Sequence, residues 1–231
     1  MTRLKTETRV VANHAGGFNS IGLFWSVMLW RHVVFESLAE RHFLIFLERL
    51  RVKYTEQPRR FQIIIDGKET TYVSDLGVPR LDGDIHFQVK PLKKALQPKI
   101  ERRMQQVRVQ LGALGMQHFV FSPEIYSKAY WVNLRMLYGY VIRHVDSPLA
   151  PHVLALLSQR EHWQLREAVS ALRSQGMSLG PMYTAMFYRE IRFDEEKKIT
   201  ARSKISVTQR RPTVAAISRV TESPNGTASV L

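Results

Sequence analysis

The sequence predicts an α/β protein in which a mixed β-sheet flanked by helices is followed by a mainly helical C-terminal half. Apolar and polar residues alternate over Phe61–Ile65 and Ile85–Lys90, which predicts strands. Apolar residues recur at helical spacing over Val33–Leu50 and Leu92–Leu111, which predicts helices around those strands. The 231 residues suffice for one large or two small domains, and a hydrophobic content of 45% supports a substantial core.

The first half is expected to follow the order α-β-β-β-α-β, which gives a mixed sheet. Asp66-Gly67 is a strong hairpin signal between two strands. Pro98 is expected to break or kink the basic helix, and Gly115 to end it. The expected elements are helices at Val33–Leu50 and Leu92–Leu111 and strands at Phe61–Ile65, Glu69–Asp75, Ile85–Lys90 and Gln117–Phe121.

The second half is expected to contain helices and one hairpin. A connector helix, Tyr126–His144, ends before the break Asp146-Ser147-Pro148. This order is typical of a winged helix-turn-helix, whose third helix would enter a major groove, and the alternative is a small helical bundle without a DNA role. The elements after the break are helices at Leu149–Ser158, Trp163–Ser174 and Pro181–Glu190 and hairpin strands at Ile191–Phe193 and Ile199–Lys204.

These patterns divide the chain into four expected regions. Gly17–Trp30 is apolar but too short to span a bilayer, and it lacks the order of a signal peptide. We therefore expect a cytoplasmic chain without a membrane partner. The regions are an N-terminal arm packed on the core (1–32), an α/β domain (33–125), a connector helix with the winged-helix-like domain (126–205) and a disordered tail (206–231).

The charge of the chain indicates a polyanionic partner. Its net charge is +14, and the 34 Lys and Arg residues are spread along the sequence, which favours nucleic acid. The absence of cysteine excludes disulfides and thiolate metal sites. Any metal site must use carboxylate, imidazole, amide or carbonyl ligands, which suits Mg²⁺ or Mn²⁺.

Asp75, Gln88 and Lys90 form the first candidate site. Gln88 and Lys90 share the polar face of one expected strand, and Asp75 ends the preceding strand. Metal-dependent nucleases use such an arrangement: the carboxylate binds a divalent cation and the lysine faces the attacking water or the phosphate. The backbone carbonyl of Val89 is a further possible ligand. The alternatives are a turn aspartate, a polar sheet glutamine and a solvated strand-end lysine.

A helix could add a carboxylate to this site. Glu40 lies on the apolar face of the first helix and should point inward, where it needs a cation or donors. Glu36, one turn earlier, is the competing acid. His86 is expected at the surface, with a proton shuttle as the alternative. Five basic residues after the site could contact phosphate or form an ordinary solvated face: Lys93, Lys94, Arg102, Arg103 and Arg108.

At these positions the sequence resembles TnsA, the endonuclease subunit of heteromeric cut-and-paste transposases. The resemblance spans about residues 10–125, and the second half is similar in outline to the winged-helix C-terminal domain of that family. The matching stretches are the lead-in with Gly22–Trp25 and Arg31, Val34–Arg41 before an apolar helix, Gln57-Pro58, Tyr72–Asp75 and Phe87–Pro91.

The resemblance implies a restriction-endonuclease-like core of the PD-(D/E)XK class. It implies that Glu40 and Asp75 bind Mg²⁺, for which Mn²⁺ substitutes, that Gln88 completes the site, and that Lys90 positions the nucleophile or phosphate. Most of the wider superfamily has an acidic residue where this chain has Gln88, although some TnsA proteins carry glutamine. Tyr72–Leu76 also departs from the more common Tyr-x-Pro-Asp-Phe.

The function implied by the resemblance is magnesium-dependent hydrolysis of DNA at the 5′ ends of a transposon. In the family, a DDE-type transposase, TnsB, cuts and joins the 3′ ends, and an AAA+ regulator, TnsC, controls both. The expected partners are double-stranded transposon ends and TnsB-like and TnsC-like proteins, with nucleoid association in that complex. The alternatives are a stand-alone nuclease of restriction or repair and a non-catalytic DNA-binding scaffold subunit.

Overall fold

A computed structural model describes residues 21–208, which form an α/β structure with a mixed sheet flanked by helices, as the sequence predicts. The helices in this range are α1 (Leu38–Arg49), α2 (Leu92–Ala95), α3 (Pro98–Ala113), α4 (Lys128–His144), α5 (Ala150–Leu157), α6 (Leu165–Ser174) and α7 (Gly180–Phe187). The strands are β1 (Gly22–Ser26), β2 (Arg31–Phe35), β3 (Thr55–Glu56), β4 (Arg60–Ile65), β5 (Lys68–Val73), β6 (Leu76–Val78), β7 (Ile85–Val89), β8 (Gln117–Phe121), β9 (Trp163–Gln164), β10 (Ile191–Arg192) and β11 (Lys204–Val207).

The central sheet has the strand order β3-β6-β7-β8, in which β7 is antiparallel to β6 and parallel to β8. Aromatic residues cover one face of this sheet, where the Phe43 ring of α1 lies 4.9 Å from Phe87 and 4.3 Å from Phe121. The other face is covered by α3 and by the β4–β5 hairpin, whose Phe61 joins Val107 and Val120 in a second apolar cluster. β7 is therefore buried on both faces.

The first helix begins five residues later than predicted. Ser37 caps α1, because its hydroxyl accepts a hydrogen bond from the Glu40 N–H, and Arg31–Phe35 instead pairs with β1 as a strand. The expectation of helix from Val33 is therefore wrong. Of the expected N-terminal arm, the described part folds as this hairpin, and Phe24 is buried in the core; residues 1–20 lie outside the described residues.

Local turn chemistry is confirmed where the chain reverses. Asp66 and Gly67 have φ angles of 50° and 78°, which is the type I′ geometry of a two-residue hairpin. Pro98 starts α3 after the short α2, and Gly115 follows that helix with a φ of 75°. The expected returning strand over Glu69–Asp75 is instead broken, so β5 ends at Val73 and β6 enters the central sheet from Leu76.

The second half contains the expected helices but a different hairpin. β11 lies at Lys204–Val207 rather than Ile199–Lys204, and it pairs with β10 and also with β9, which was expected to be helical. Ser206 and Val207 thus belong to a strand rather than to a tail, and residues 209–231 lie outside the described residues. Contrary to the expectation for a groove-reading helix, seven of the eight residues of α7 are buried.

One apolar core runs across the predicted boundary between residues 125 and 126. It extends in sequence from Phe24 to Ile205 and includes residues of α1, α4 and α7. A nearly buried ion pair adds to this contact: the Arg49 guanidinium of α1 donates to Glu195, which also binds Arg189 at 3.0 Å. No helix within the described range is both long and apolar enough to cross a bilayer.

Replacing Glu195 by glutamine should destabilise the contact between the halves. The side chain of Arg49 is 1% exposed, so its charge would lose its closest carboxylate in an environment that water does not reach. We expect the free energy of unfolding to fall by about 3 kcal/mol in urea titrations. The control is Glu196→Gln at the exposed neighbouring position, which should change it by less than about 0.5 kcal/mol. Equal effects of the two substitutions would contradict this account.

Candidate metal and phosphate site

Asp75 lies at the break between β5 and β6, where its backbone joins two strands of the central sheet. Its N–H donates to the Phe87 carbonyl oxygen at 3.0 Å, and its carbonyl oxygen accepts from the Gln57 N–H at 3.0 Å. Its carboxylate Oδ2 accepts from the Val89 N–H at 2.6 Å and from the Gln88 side-chain amide. The sheet therefore places Asp75 at the carboxyl end of β7, in direct contact with Gln88.

Gln88 belongs to a hydrogen-bond network with two residues that the sequence analysis missed. The Tyr72 hydroxyl lies 3.0 Å from Gln88 Oε1 and 2.7 Å from His118 Nε2. Tyr72 reaches Gln88 from β5, and His118 comes from β8, beside β7. Both lie among alternating apolar residues of strands, where a polar side chain on a buried face requires a partner, and Tyr72 also begins one of the stretches that resemble TnsA.

Glu40 takes part in the hydrogen bonds that cap the start of α1. Its N–H donates to Ser37 Oγ at 3.1 Å, and its carboxylate accepts from the Ser37 hydroxyl at 3.0 Å and from the Glu36 N–H at 2.8 Å. Glu36 precedes the helix, and its Oε1 accepts from Gln57 at 3.2 Å. The expectation that Glu36 lies one helical turn before Glu40 is therefore wrong.

Glu40, Asp75 and Lys90 interact electrostatically in a partly buried region. Burial is the main cause that raises the pKa of Asp75 to about 6, and the nearby Glu40 carboxylate raises it further, against the opposing effects of the Val89 N–H and Lys90. Burial likewise raises the pKa of Glu40 and lowers that of Lys90. The Asp75 and Glu40 carboxylates hold the pKa of Lys90 up, whereas the positive charges of Lys94 and Arg103 lower it.

The two carboxylates suit a hard divalent cation better than the amide does. The Glu40 carboxylate disfavours the ionisation of Asp75, and a cation between the two carboxylates would remove that repulsion. Oδ1 of Asp75 makes no hydrogen bond within residues 21–208, whereas the Gln88 oxygen faces Tyr72. No group of three His, Cys, Asp or Glu side chains in that range could hold a metal ion, so any cation would depend on these oxygens, the Val89 carbonyl and water.

His86 is buried rather than at the surface, because α3 and the β4–β5 hairpin cover the polar face of β7. It is 2% exposed, and its Nδ1 lies 2.8 Å from the Ser74 hydroxyl. Its ring meets the Phe61 ring edge-on, with 5.1 Å between the centroids. Burial lowers the pKa of His86, which favours the neutral ring.

The five basic residues after the site differ in exposure. Lys93 and Lys94 of α2 and Arg102 and Arg103 of α3 are exposed, with Arg102 Nε 3.5 Å from Asp66 Oδ1. Arg108 is less exposed and donates to the His118 carbonyl oxygen at 3.3 Å, so it also holds α3 to β8. Four of the five thus present their charges to solvent on the two helices that follow Lys90.

A cleft of 730 Å³ adjoins the site between α1 and α4. Ser37 and Ala39, next to Glu40, and Pro91, next to Lys90, line one part of it. Its other lining residues include stacked rings of His42 and Trp131, whose centroids are 4.5 Å apart, and three basic residues: Arg41, Lys128 and Arg135. The cleft is therefore cationic and aromatic, which are properties of surfaces that bind nucleic acid.

Comparison with known proteins identifies no family for this chain. No protein-family model matches the sequence, and no curated protein matches it significantly.

The raised pKa of Asp75 predicts a pH-dependent stability. Because the folded pKa of about 6 lies above the value of about 3.9 in an unfolded chain, the folded state binds the extra proton between these values. The free energy of unfolding should therefore fall as pH rises from about 4 to about 7, by roughly 2 kcal/mol relative to Asp75→Asn. Urea titrations with a chelator present test this. A difference between the two proteins that does not vary with pH would contradict it.

Proposed function

We propose that this chain is a magnesium-dependent DNA endonuclease with a restriction-endonuclease-like core, and the subunit of a TnsA/TnsB-type transposase that cuts the 5′ ends of the transposon. The observation that carries the proposal is the Asp75 carboxylate held by the Val89 N–H and the Gln88 amide at the carboxyl end of β7, directly before Lys90. The Glu40 carboxylate is near enough to raise the pKa of Asp75. Two carboxylates and a lysine at one partly buried strand end are a composition suited to a cation and a phosphodiester.

The order of the elements supports this proposal. Asp75 precedes β6, the antiparallel β6–β7 pair brings it to Gln88, Lys90 follows β7, and α1 adds Glu40. The crossover through α3 to the parallel strand β8 then completes a mixed sheet with helices on both faces. These positions correspond to those that the resemblance to TnsA assigns to the PD-(D/E)XK core.

The residues of the site have distinct roles in the proposed hydrolysis. A bound Mg²⁺ would supply Lewis-acid stabilisation of the phosphate and a more acidic water. Asp75 and Glu40 would hold it, and the Val89 N–H keeps the Asp75 carboxylate in place through Oδ2. Burial lowers the pKa of Lys90. The Lys90 ammonium would hydrogen-bond the attacking water or the scissile phosphate and offset the charge that develops on the phosphate.

The distribution of charge supports DNA as the substrate. The cationic cleft between α1 and α4 adjoins the site beside Pro91, and the exposed Lys93, Lys94, Arg102 and Arg103 follow Lys90 along the chain. A duplex whose scissile phosphate lies at Lys90 would meet cations from α1, α2, α3 and α4. On the basis of the resemblance, TnsB-like and TnsC-like proteins are the partners with which this chain would cut the transposon ends.

The second half would hold the complex together rather than read a sequence. Its strand order, β9-β11-β10, with β9 between α5 and α6, is compatible with the winged-helix-like domain that the resemblance implies. α7 is nevertheless packed against α4 and lacks an open face for a major groove. We therefore assign DNA contact mainly to the N-terminal half.

The test is strand-specific cleavage of transposon-end DNA with Mg²⁺, adding the TnsB-like and TnsC-like proteins of the same locus in turn. Asp75→Ala should reduce 5′-strand cutting at least about 100-fold and leave 3′-strand cutting intact, because only the 5′ cut would use this site. Asp82→Ala is the matched control, since Asp82 lies in an exposed turn and pairs with Arg80 at 2.9 Å.

The outcomes separate the proposal from its alternatives. Magnesium-dependent cutting by this chain alone would instead identify a stand-alone nuclease of restriction or repair. Unchanged 5′ cutting by Asp75→Ala would identify a scaffold subunit. The hydrogen bonds that both Glu40 oxygens accept, from the Glu36 N–H and the Ser37 hydroxyl, favour that alternative. DNA-binding measurements on each variant distinguish a lost cut from lost binding.

DNA binding should be strongly dependent on salt and weakly sequence-specific. Because Arg102 and Arg103 are exposed, replacing both by alanine should make the plot of log affinity against log salt concentration shallower by about two units. Fluorescence anisotropy at several salt concentrations measures this slope, with Arg202→Ala as an exposed control outside the proposed path. A slope unchanged in the double variant, or tight sequence-selective binding at high salt, would contradict the expectation.

A further inference from the structure

Behind Gln88 lies a buried hydrogen-bond chain that the proposed hydrolysis does not use. It runs from His118 Nε2 through the Tyr72 hydroxyl, at 2.7 Å, to Gln88 Oε1, at 3.0 Å. The Gln88 amide nitrogen then donates to Asp75 Oδ2. Tyr72, Gln88 and His118 are at most 8% exposed, so water does not compete for these hydrogen bonds.

The hydrogen bonds that link His118, Tyr72, Gln88 and Asp75 all run in one direction. Tyr72 has a single hydroxyl proton and donates it to Gln88 Oε1, so His118 Nε2 must carry a proton and donate to the Tyr72 oxygen. The amide consequently presents its NH₂ group to Asp75. This orientation opposes ligation by Gln88, because amide hydrogens lie where a cation shared with Asp75 would lie.

The same row of hydrogen bonds can also run in the opposite direction. A half-turn of the Gln88 amide exchanges two groups of nearly equal size, so that Oε1 faces the Asp75 side and NH₂ donates to the Tyr72 oxygen. Tyr72 must then donate its hydroxyl hydrogen bond to His118 Nε2, which requires the single proton of the neutral His118 ring to lie on Nδ1 instead of Nε2. Within the described part of the chain, His118 Nδ1 has no hydrogen-bond partner, so no second hydrogen bond fixes which ring nitrogen carries the proton. Burial lowers the pKa of His118 to about 3, which keeps the ring neutral.

We propose that Tyr72 and His118 are positioning residues that turn the Gln88 amide oxygen toward a divalent cation at Asp75 by reversing the hydrogen bonds of this chain. This inference rests on the proposed function, which supplies the cation. His118 is needed as an acceptor only in the reversed state. Without it, Tyr72 still donates to Gln88 in the metal-free state, but its proton has no acceptor once Gln88 ligates the metal.

The test is calorimetric titration of the full chain with Mn²⁺, in a double-mutant cycle of His118→Phe and Gln88→Glu. His118→Phe alone should weaken Mn²⁺ binding about tenfold, the cost of one buried hydroxyl proton without an acceptor. In the Gln88→Glu background, the His118→Phe substitution should weaken Mn²⁺ binding less than about twofold. A carboxylate can ligate through one oxygen and accept the Tyr72 proton with the other, so His118 is no longer required.

Two further variants separate positioning from packing. His86→Phe is the matched control, since His86 lies directly opposite His118 in the β7–β8 register but is bonded to Ser74; it should leave Mn²⁺ affinity within about twofold. His118→Gln should restore most of the affinity, because its amide oxygen can accept the Tyr72 proton. Circular dichroism establishes that each variant is folded. If the phenyl ring of His118→Phe prevents folding, His118→Leu takes its place.

Equal losses of Mn²⁺ affinity in the two backgrounds would show that His118 acts through packing. No loss of affinity in either background would show that the direction of the hydrogen bonds does not reverse. Each result overturns the inference while leaving the cation site in place. Absence of Mn²⁺ binding by the wild-type chain would instead overturn the cation site of the proposed function, and the inference with it. These readouts require no cleavage activity.

Discussion

The structure around the candidate site depends on the burial of β7 on both faces. In a strand covered by α1 on one side and by α3 and the β4–β5 hairpin on the other, each polar side chain is stabilised by at least one hydrogen bond, because an unpaired buried polar group costs about 1–3 kcal/mol. His86 therefore pairs with Ser74, and Gln88 with Tyr72 and Asp75. These pairs form a polar layer between the central sheet and the elements that cover it.

This layer also explains why the site lies at the strand end. The layer is closed along β7 but opens where the strand stops at Val89, and there Asp75 and Lys90 retain contact with solvent. Partial burial raises the pKa of Asp75 and lowers that of Lys90, so both groups gain from a ligand that supplies compensating charge. A divalent cation and a phosphate are such ligands, and the cationic cleft beside Pro91 offers a path to them.

Local signals in the sequence predicted the elements better than they predicted the contacts between them. Asp66-Gly67 and Pro98 act through their own backbone geometry, so their effects could be read directly. The Ser-x-x-Glu pattern at Ser37 and Glu40 was also readable as a helix start and would have placed the start of α1 correctly, since Ser37 does cap that helix. The burial of His86, the broken strand at Asp75 and the partnership of Tyr72 with His118 depend on elements distant in sequence, which periodicity along one strand does not reveal.

The central claim is that Asp75 and Glu40 hold one divalent cation at the carboxyl end of β7. An anomalous-difference map from crystals of this chain soaked in Mn²⁺ tests it most directly. The account predicts a single strong peak about 2.2 Å from a carboxylate oxygen of Asp75, on the side that faces Glu40 and Lys90. Well-ordered Asp75 and Glu40 side chains without a peak between them, at Mn²⁺ concentrations that support DNA cleavage, would contradict it.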